Sequence, residues 1–234
     1  MEEFKRPSNR GFSEPRQIEA EAGVIKKADG SARFKIGDTE AYAAVYGPRE
    51  LHPKFLQDPK TGVLRCNYNM MPFSGDGSRV RPGPSRRSKE ISLVTEKALL
   101  PVIDLQDYPN TVVDVFIELP QTDAGSRCAG ICAAAIALAD AGFAMKDMVA
   151  AVSVGSVRGN IVVDLDGAEE HMDKNESTDI PVAMIPSTEE ITLLQMDGIV
   201  SKENLLHAIE LVKPALKQIA EKQREALRNK YKKD

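Results

Sequence analysis

The segment Thr122-Asp-Ala-Gly-Ser-Arg127 combines residue types that bind an anion at the start of a helix. It lies between an alternating apolar run and an alanine-rich segment with the periodicity of a buried helix. A helix N-terminus presents unpaired N–H groups and about half a positive charge. Gly125 would let the backbone approach closely, Ser126 adds a hydroxyl and Arg127 a forked cation. A phosphate site is therefore predicted, and the structural alternative is an ordinary serine cap with a surface arginine.

Positive charge is concentrated at the start of a second predicted helix. Between Ser78 and Lys89 the chain has several arginines and no acidic residue. Arg86 and Arg87 fall in the first helical turn, where an exposed arginine opposes the helix dipole by about 0.3–1 kcal/mol. A bound RNA phosphate would remove that conflict. The alternative is that the two arginines are solvated or bridged to Glu90.

An acidic stretch runs from Asp164 to Asp179 and leads into a predicted strand that begins at Ile180. A strand would hold Asp179 rigidly, and carboxylates beside arginines bind divalent metals or donate a proton to a leaving oxygen. Composition alone favours a solvated acidic loop.

The elements that must position these segments follow from the apolar periodicity. The predicted strands are 20–26, 32–36, 40–46, 64–73, 111–119, 148–154, 160–165, 180–185 and 191–196, and the predicted helices are 85–100, 126–141 and a long final helix capped by Ser201. This order indicates an α+β fold in which a strand-group-plus-helix unit is used twice. We expect residues 1–14 to form an N-terminal arm and residues 15–234 a single domain with a C-terminal helix.

Composition excludes several classes of protein. The net charge of −4 argues against coating nucleic acid by bulk attraction, and no apolar run approaches the roughly 20 residues that span a bilayer. The N-terminus lacks a secretory signal, so a cytoplasmic protein is expected. The three cysteines lack zinc-site spacing, and there is no phosphate-loop or dinucleotide fingerprint of ATP or NAD enzymes.

Taken in order, the motifs resemble the RNase PH family, most closely its archaeal exosome branch. They are EAGVIKKADGSARFKIGDTEAYAAVYGPRELHP, YNMMPFS, RPGPSRRSKEIS, QTDAGSRCAG, STDIPVAM and LLQMDG. The resemblance covers about Pro15 to Tyr231. It implies an RNase PH-like α+β fold of mixed β-sheets packed with helices. It also implies a phosphate-dependent 3′→5′ exoribonuclease that releases nucleoside diphosphates and in reverse adds 3′ tails.

The resemblance also implies roles for individual residues. The family's phosphate-binding motif falls on Gly125, Ser126 and Arg127, its RNA-binding double arginine on Arg86 and Arg87, its catalytic acidic pair on Asp173 and Asp179, and its entrance-loop RNA contacts on His52 and Lys54. The acidic pair is also the expected site of Mg²⁺. The family's N-terminal RxDGR-type motif appears here as Arg6-Pro-Ser-Asn-Arg10, without the Asp-Gly.

The implied co-substrate is inorganic phosphate, and the implied partners are RNA, a homologous inactive ring subunit and RNA-binding cap proteins. The two kinds of ring subunit would alternate in a hexamer, and no membrane is involved. Three alternatives stay open: a stand-alone RNase PH that trims tRNA 3′ ends, a non-catalytic RNA-binding ring scaffold, and an unrelated enzyme with a phosphorylated substrate.

Overall fold

Two β-sheets and four α-helices form the described parts of the computed structural model, which are residues 5–76, 80–172 and 177–232. The strands are β1 (Ile18–Ala22), β2 (Gly30–Ile36), β3 (Thr39–Glu50), β4 (Val63–Met70), β5 (Thr111–Gln121), β6 (Ala150–Val157), β7 (Asn160–Val163), β8 (Thr178–Ile185) and β9 (Glu190–Leu194). The helices are α1 (Arg86–Leu99), α2 (Ser126–Asp140), α3 (Gly167–His171) and α4 (Lys202–Tyr231).

The first sheet has the strand order β1-β2-β3-β5-β4. Its strands pair antiparallel except β4 and β5, which run parallel, so the sheet is mixed as expected. Along β5 the side chains of Val113, Val115, Ile117 and Leu119 are fully buried, whereas Phe116 is exposed. This period of two turns one face of the sheet towards the core and the other towards solvent.

The second sheet is antiparallel, with the order β7-β6-β8-β9. Nearly all residues of β6 and β8 are buried. The register places Asp179, near the start of β8, opposite Gly155 of β6. Asp179 therefore lies near the N-terminal end of a central strand, where the pairing of β8 with its neighbours holds its backbone in place.

Helix α2 lies between the two sheets, packing against β2, β3 and β5 of the first and against β6 and β8 of the second. Its residues are almost all buried and mostly small, as its uniformly apolar sequence predicted. Helix α4 packs against β1 and against β6 and β7. In the described ranges, no helix carries an apolar stretch long enough to cross a membrane.

The α+β fold is confirmed, and two local predictions are wrong. The first strand ends at Ala22 rather than Lys26, because Gly23 adopts a positive φ of 79° and a turn follows. The acidic stretch is not simply a solvated loop, because residues 167–171 form α3. Asp166 caps this helix by accepting a hydrogen bond from the backbone of Glu169 at 2.9 Å, while Glu169 accepts one from the Asp166 backbone at 3.1 Å.

Candidate active site

The predicted phosphate motif lies at the N-terminus of α2, in the turn after β5. Gly125 takes a left-handed conformation (φ 68°, ψ 25°) that other residues adopt only with strain, and the helix begins at Ser126. The N-cap residue Gly125 has no side chain to cap this helix, so within the described ranges the N–H groups of its first turn are left for a ligand. Since Ser126 is the first helical residue, the alternative of an ordinary serine cap is wrong.

The guanidinium of Arg127 connects three elements around this turn. It donates a hydrogen bond to Oε1 of Gln195, just after β9, and its Nη1 lies 3.7 Å from Oε1 of Glu90 on α1. Gln195 in turn donates from Nε2 to the same Glu90 oxygen at 3.0 Å. Arg127 is thus held at a partly buried position rather than free on the surface.

Asp179 lies in the same region, where burial disfavours the ionised form of its carboxyl group. Its backbone N–H donates to the carbonyl of Asp197 at 3.0 Å, and the Asp197 N–H returns a bond at 2.8 Å. Its Oδ1 is buried and has no hydrogen-bond partner within the described ranges. Burial raises the pKa of Asp179 to about 6, although Arg127 and Arg87 oppose that change. A carboxylate that is desolvated and unpartnered is suited to holding a proton or a cation.

A single open cavity of about 920 Å³ collects these groups. Its polar lining includes Arg87, Glu90, Asp123, Ser126, Arg127, Glu170, His171, Asp179, Gln195 and Asp197. Cationic side chains and a helix N-terminus thus share one space with carboxylates of raised pKa. Such a site binds an anion beside a group that exchanges protons.

The sequence reasoning did not single out Glu170, which lies in this cavity. Burial and the nearby carboxylates of Asp179 and Asp123 raise its pKa to about 7. The Glu170 carbonyl accepts a hydrogen bond from Oγ of Ser177 at 3.1 Å, which ties the end of α3 to the start of β8. The signal that could have found it is the spacing of Asp166 and Glu169, which is that of a capped helical turn.

The predicted RNA-binding residues fall in two separate places. Arg87 lines the cavity, whereas Arg86 is exposed beside it and does not. Glu90, which the alternative reading paired with Arg86 or Arg87, lies instead 3.7 Å from Nη1 of Arg127. Helix α1 is capped by Ser85, which accepts a hydrogen bond from the Ser88 backbone at 3.0 Å.

His52 and Lys54 are not brought to this cavity. Both are exposed and lie 3.6 Å from carboxylate oxygens of Glu50. Glu50 pairs with Thr111, the first residue of β5, whereas the phosphate motif follows the other end of that strand. The ten steps along β5, at about 3.3 Å each, separate the two regions by about 33 Å.

Asp173 lies outside the described residues, so the predicted acidic pair is represented here by Asp179 alone. Within the described ranges, no group of three or more histidine, cysteine or acidic side chains is arranged to hold a metal ion. Mg²⁺, however, commonly uses one or two carboxylates together with substrate phosphates. The unpartnered Asp179 oxygen fits that kind of site.

The altered N-terminal motif is part of a buried ion-pair network. Arg6 is only 2% exposed, and its Nε and Nη2 donate to the two carboxylate oxygens of Glu169 at 2.6 and 2.8 Å. Arg10 lies 3.4 Å from Asp166. Asn9 stands where the family motif has glycine and adopts a φ of 57°, a conformation that asparagine tolerates well. The change in motif therefore keeps the turn and both arginines.

Comparison with known proteins covers both halves of the chain. The 3′ exoribonuclease family (RNase PH) matches as domain 1 over residues 14–144 and as domain 2 over residues 147–213. The exosome complex component Rrp41 of Thermococcus gammatolerans is 52% identical over 98% of this chain and 91% of its own length. The proteins of that name from Pyrococcus furiosus and Nitrosopumilus maritimus are 50% and 44% identical, again over 98% of this chain and over 90% and 93% of theirs.

Two solved structures share the fold. Rice (Oryza sativa) Rrp46 superposes with a TM-score of 0.83, covering 95% of this chain and all of its own, at 24% identity. A chain of the Archaeoglobus fulgidus exosome with RNA bound to the active site gives a TM-score of 0.77 at 23% identity, covering 97% of this chain and 93% of its own. The expected fold and family are confirmed, and this chain belongs to the 3′ exoribonuclease family known as RNase PH.

Proposed function

We propose that this chain is the catalytic subunit of an archaeal-type exosome and shortens RNA from its 3′ end by phosphorolysis. The observation that carries the proposal is the cavity that places the N-terminus of α2, Ser126 and Arg127 together with Asp179. Phosphorolysis needs an anion site beside a carboxylate, whereas a ring scaffold needs neither. Relatives that are about 50% identical over almost the whole chain are exosome complex components, which supports this assembly.

The chemistry follows from the charges in the cavity. Inorganic phosphate, bound by the first-turn N–H groups of α2, Ser126 and Arg127, attacks the phosphorus of the last phosphodiester. The bond from phosphorus to O3′ breaks, and O3′ takes a proton to become the new 3′ hydroxyl. The attacking phosphate becomes the β-phosphate of a nucleoside diphosphate, so water is not consumed. Arg87, with Arg86 beside it, offsets the repulsion between the two anions and positions the RNA backbone.

The carboxylates complete the site. Asp179, together with Asp173, is proposed to handle the leaving-group proton and to hold Mg²⁺. The ion would neutralise charge on the phosphoryl oxygens as it develops. An ionised aspartate cannot donate a proton, so the raised pKa of Asp179 is what makes an acid role feasible near neutral pH.

The wider assembly is proposed from the family. The partner is a homologous inactive subunit that alternates with this chain in a hexameric ring, with RNA-binding cap proteins above it. His52 and Lys54 are exposed and far from the cavity, which suits contacts with RNA at the ring entrance. A cytoplasmic location stays a prediction.

The decisive experiment is an RNA degradation assay on the chain, alone and co-purified with the partner subunit. A 3′ single-stranded RNA is incubated with Mg²⁺ and phosphate, and thin-layer chromatography identifies the released nucleotide. The proposal expects nucleoside diphosphate that requires phosphate and the partner. The product should disappear in Asp179→Asn and persist in Asp114→Asn, whose carboxylate instead pairs with Arg65 at 2.5 Å.

Each other outcome selects an alternative. Activity from the chain alone would indicate a stand-alone RNase PH. Release of nucleoside monophosphate would mean hydrolysis and refute phosphorolysis. Without any product in either sample, the ring scaffold becomes the better explanation.

A further inference from the structure

Arg16 makes contacts to both halves of the chain at the back of the phosphate motif. Its Nη1 donates to Oδ2 of Asp123 at 2.9 Å, and its Nη2 donates to the carbonyl of Ala124 at 3.2 Å. Its Nε and Nη2 also donate to the two oxygens of Asp164 at 2.9 and 2.8 Å. Asp123 and Ala124 directly precede Gly125, whereas Asp164 follows β7 of the second sheet.

The segment before α2 is held by further bonds that converge on the same two residues. The second oxygen of Asp123 accepts a hydrogen bond from the Gly167 N–H at 3.0 Å, at the start of α3. The Ala124 carbonyl also accepts one from Oγ1 of Thr39 at 2.7 Å, and the Asp123 N–H donates to that hydroxyl at 3.0 Å. Two of these contacts lead to residues that follow β7 of the second sheet: the Gly167 bond to Asp123, and the Arg16 guanidinium, which joins Asp123 and Ala124 to Asp164.

The ion pair between Arg16 and Asp164 is buried, which restricts its geometry. The side chains of Arg16 and Asp164 are only 8% and 1% exposed, so neither charge is solvated independently. The alkyl stem of Arg16 lies against Gly37, where an added Cβ would come within 2.4 Å of Cδ. The backbone N–H of Arg16 also donates to Asp164, at 2.7 Å. The hydrogen bonds to Asp123, Ala124 and Asp164 and the contact with Gly37 therefore fix the position of the Arg16 guanidinium.

We propose that Arg16 is a positioning residue of the phosphate site, an inference that rests on the proposed function. Arg16 does not line the cavity that holds Ser126 and Arg127, so it acts through Asp123 and Ala124 rather than on phosphate itself. By fixing the segment before Gly125 to the second sheet, it sets the direction in which the first-turn N–H groups of α2 point. The two sheets then carry the anion site and Asp179 in a fixed relation.

The test compares Arg16→Lys with wild type in the complex with the partner subunit. Lysine keeps the charge but has one nitrogen, so it cannot bond to Asp123, Ala124 and Asp164 in the planar forked arrangement. We expect the KM for phosphate to rise about tenfold or more, since small displacements of a binding group have large kinetic effects. The kcat at saturating phosphate and the Kd for RNA measured without phosphate should stay within about threefold of wild type.

Arg33→Lys is the matched control. Arg33 also bridges two carboxylates, with Nε 2.5 Å from Glu40 and Nη1 3.2 Å from Glu19, but neither it nor these carboxylates line the cavity or contact Asp123 or Ala124 in the described ranges. Its KM for phosphate should be that of wild type. If Arg16→Lys does not fold, Asp164→Asn keeps the side-chain shape, weakens the contact with Arg16 at a residue that does not line the cavity, and should give the same selective rise in KM.

A second measurement separates this inference from the proposed function. Inorganic phosphate should raise the Tm of the wild-type complex, and Arg16→Lys should need about tenfold more phosphate for the same rise. A complex without nuclease activity would refute the proposed function but still permit this comparison. Equal phosphate responses in the two proteins would overturn the role of Arg16. So would the absence of any response in wild type, or equal losses of phosphate and RNA affinity.

Discussion

Replacing Asp179 by asparagine should stabilise the folded protein near neutral pH, even though it removes activity. The pKa of Asp179 is about 6 in the folded chain, against an ordinary value of 3.8. Ionising it in the folded state is therefore disfavoured by about 3 kcal/mol relative to the unfolded chain. Asparagine removes that penalty and introduces a buried amide, which costs about 1 kcal/mol if it is left without a partner. The expected net gain is about 2 kcal/mol, or about 4–8 °C in Tm for a chain of this size.

The sign depends on pH. Because the folded pKa is raised, wild type has its full stability below pH 3.8 and loses this contribution as the pH rises through about 6. The advantage of Asp179→Asn should therefore be small near pH 4.5, grow up to about pH 6 and stay constant above that.

The assay is thermal unfolding of both proteins from pH 4.5 to 8 in EDTA, repeated with Mg²⁺. Asp147→Asn is the control of opposite sign. Despite its partial burial, hydrogen bonds from Ser187 and Arg224 lower the pKa of Asp147, so its replacement should destabilise the protein at pH 7.5. A Tm of Asp179→Asn at or below wild type at pH 7.5 in EDTA would refute the reasoning. If Asp179 holds Mg²⁺, the ion should raise the Tm of wild type selectively and narrow the difference.

Three further predictions concern the surroundings of the cavity. Gly125→Ala should lower stability by about 1–2 kcal/mol in unfolding titrations and weaken phosphate affinity, because φ is 68° there; an unchanged Tm would contradict this. If phosphorolysis requires protonated Glu170, the wild-type rate should fall above about pH 7, where this group ionises, and Glu170→Gln should remove that fall; identical pH–rate profiles would exclude Glu170 as an acid. Arg6→Met should lose up to about 3–5 kcal/mol in chemical denaturation, because buried Glu169 keeps only Arg10, 3.5 Å away, as a counterion; a loss under 1 kcal/mol would show that Arg10 is sufficient.

Most of the helices and strands could be predicted from the sequence, because the spacing of their apolar residues matches the faces that they bury. The alternation along β5 and the uniformly apolar α2 were both correct, since each buries its faces in the way its sequence suggests. The end of β1 was misplaced because Val24 and Ile25 continue the apolar pattern after Gly23 has turned the chain.

The anion site was also predictable, whereas the neighbours of its residues were not. Gly125, Ser126 and Arg127 are adjacent in sequence, so their meeting at a helix start needs only local structure. Glu170 and Asp179 share the cavity because the end of α3 is bonded to Ser177, just before β8, whereas the composition of the acidic stretch alone favoured a solvated loop. Arg6 was passed over because its partner Glu169 is 163 residues away, a distance at which sequence patterns carry no pairing information.

Arg6 and Arg16 are far along the sequence from the carboxylates that they bind, and this affects the order in which the chain folds during synthesis. Arg6 leaves the ribosome early, whereas Glu169 follows 163 residues later, which at about 5–20 residues per second is a delay of about 8–33 s. Arg16 waits similarly for Asp164, 148 residues on. A nascent chain can form the first sheet while Arg6 still lacks Glu169 and Arg16 has Asp123 but not Asp164 as a counterion. The backing of the phosphate motif is therefore completed only when translation has passed the second sheet's first hairpin, so chains released earlier carry an unsupported site.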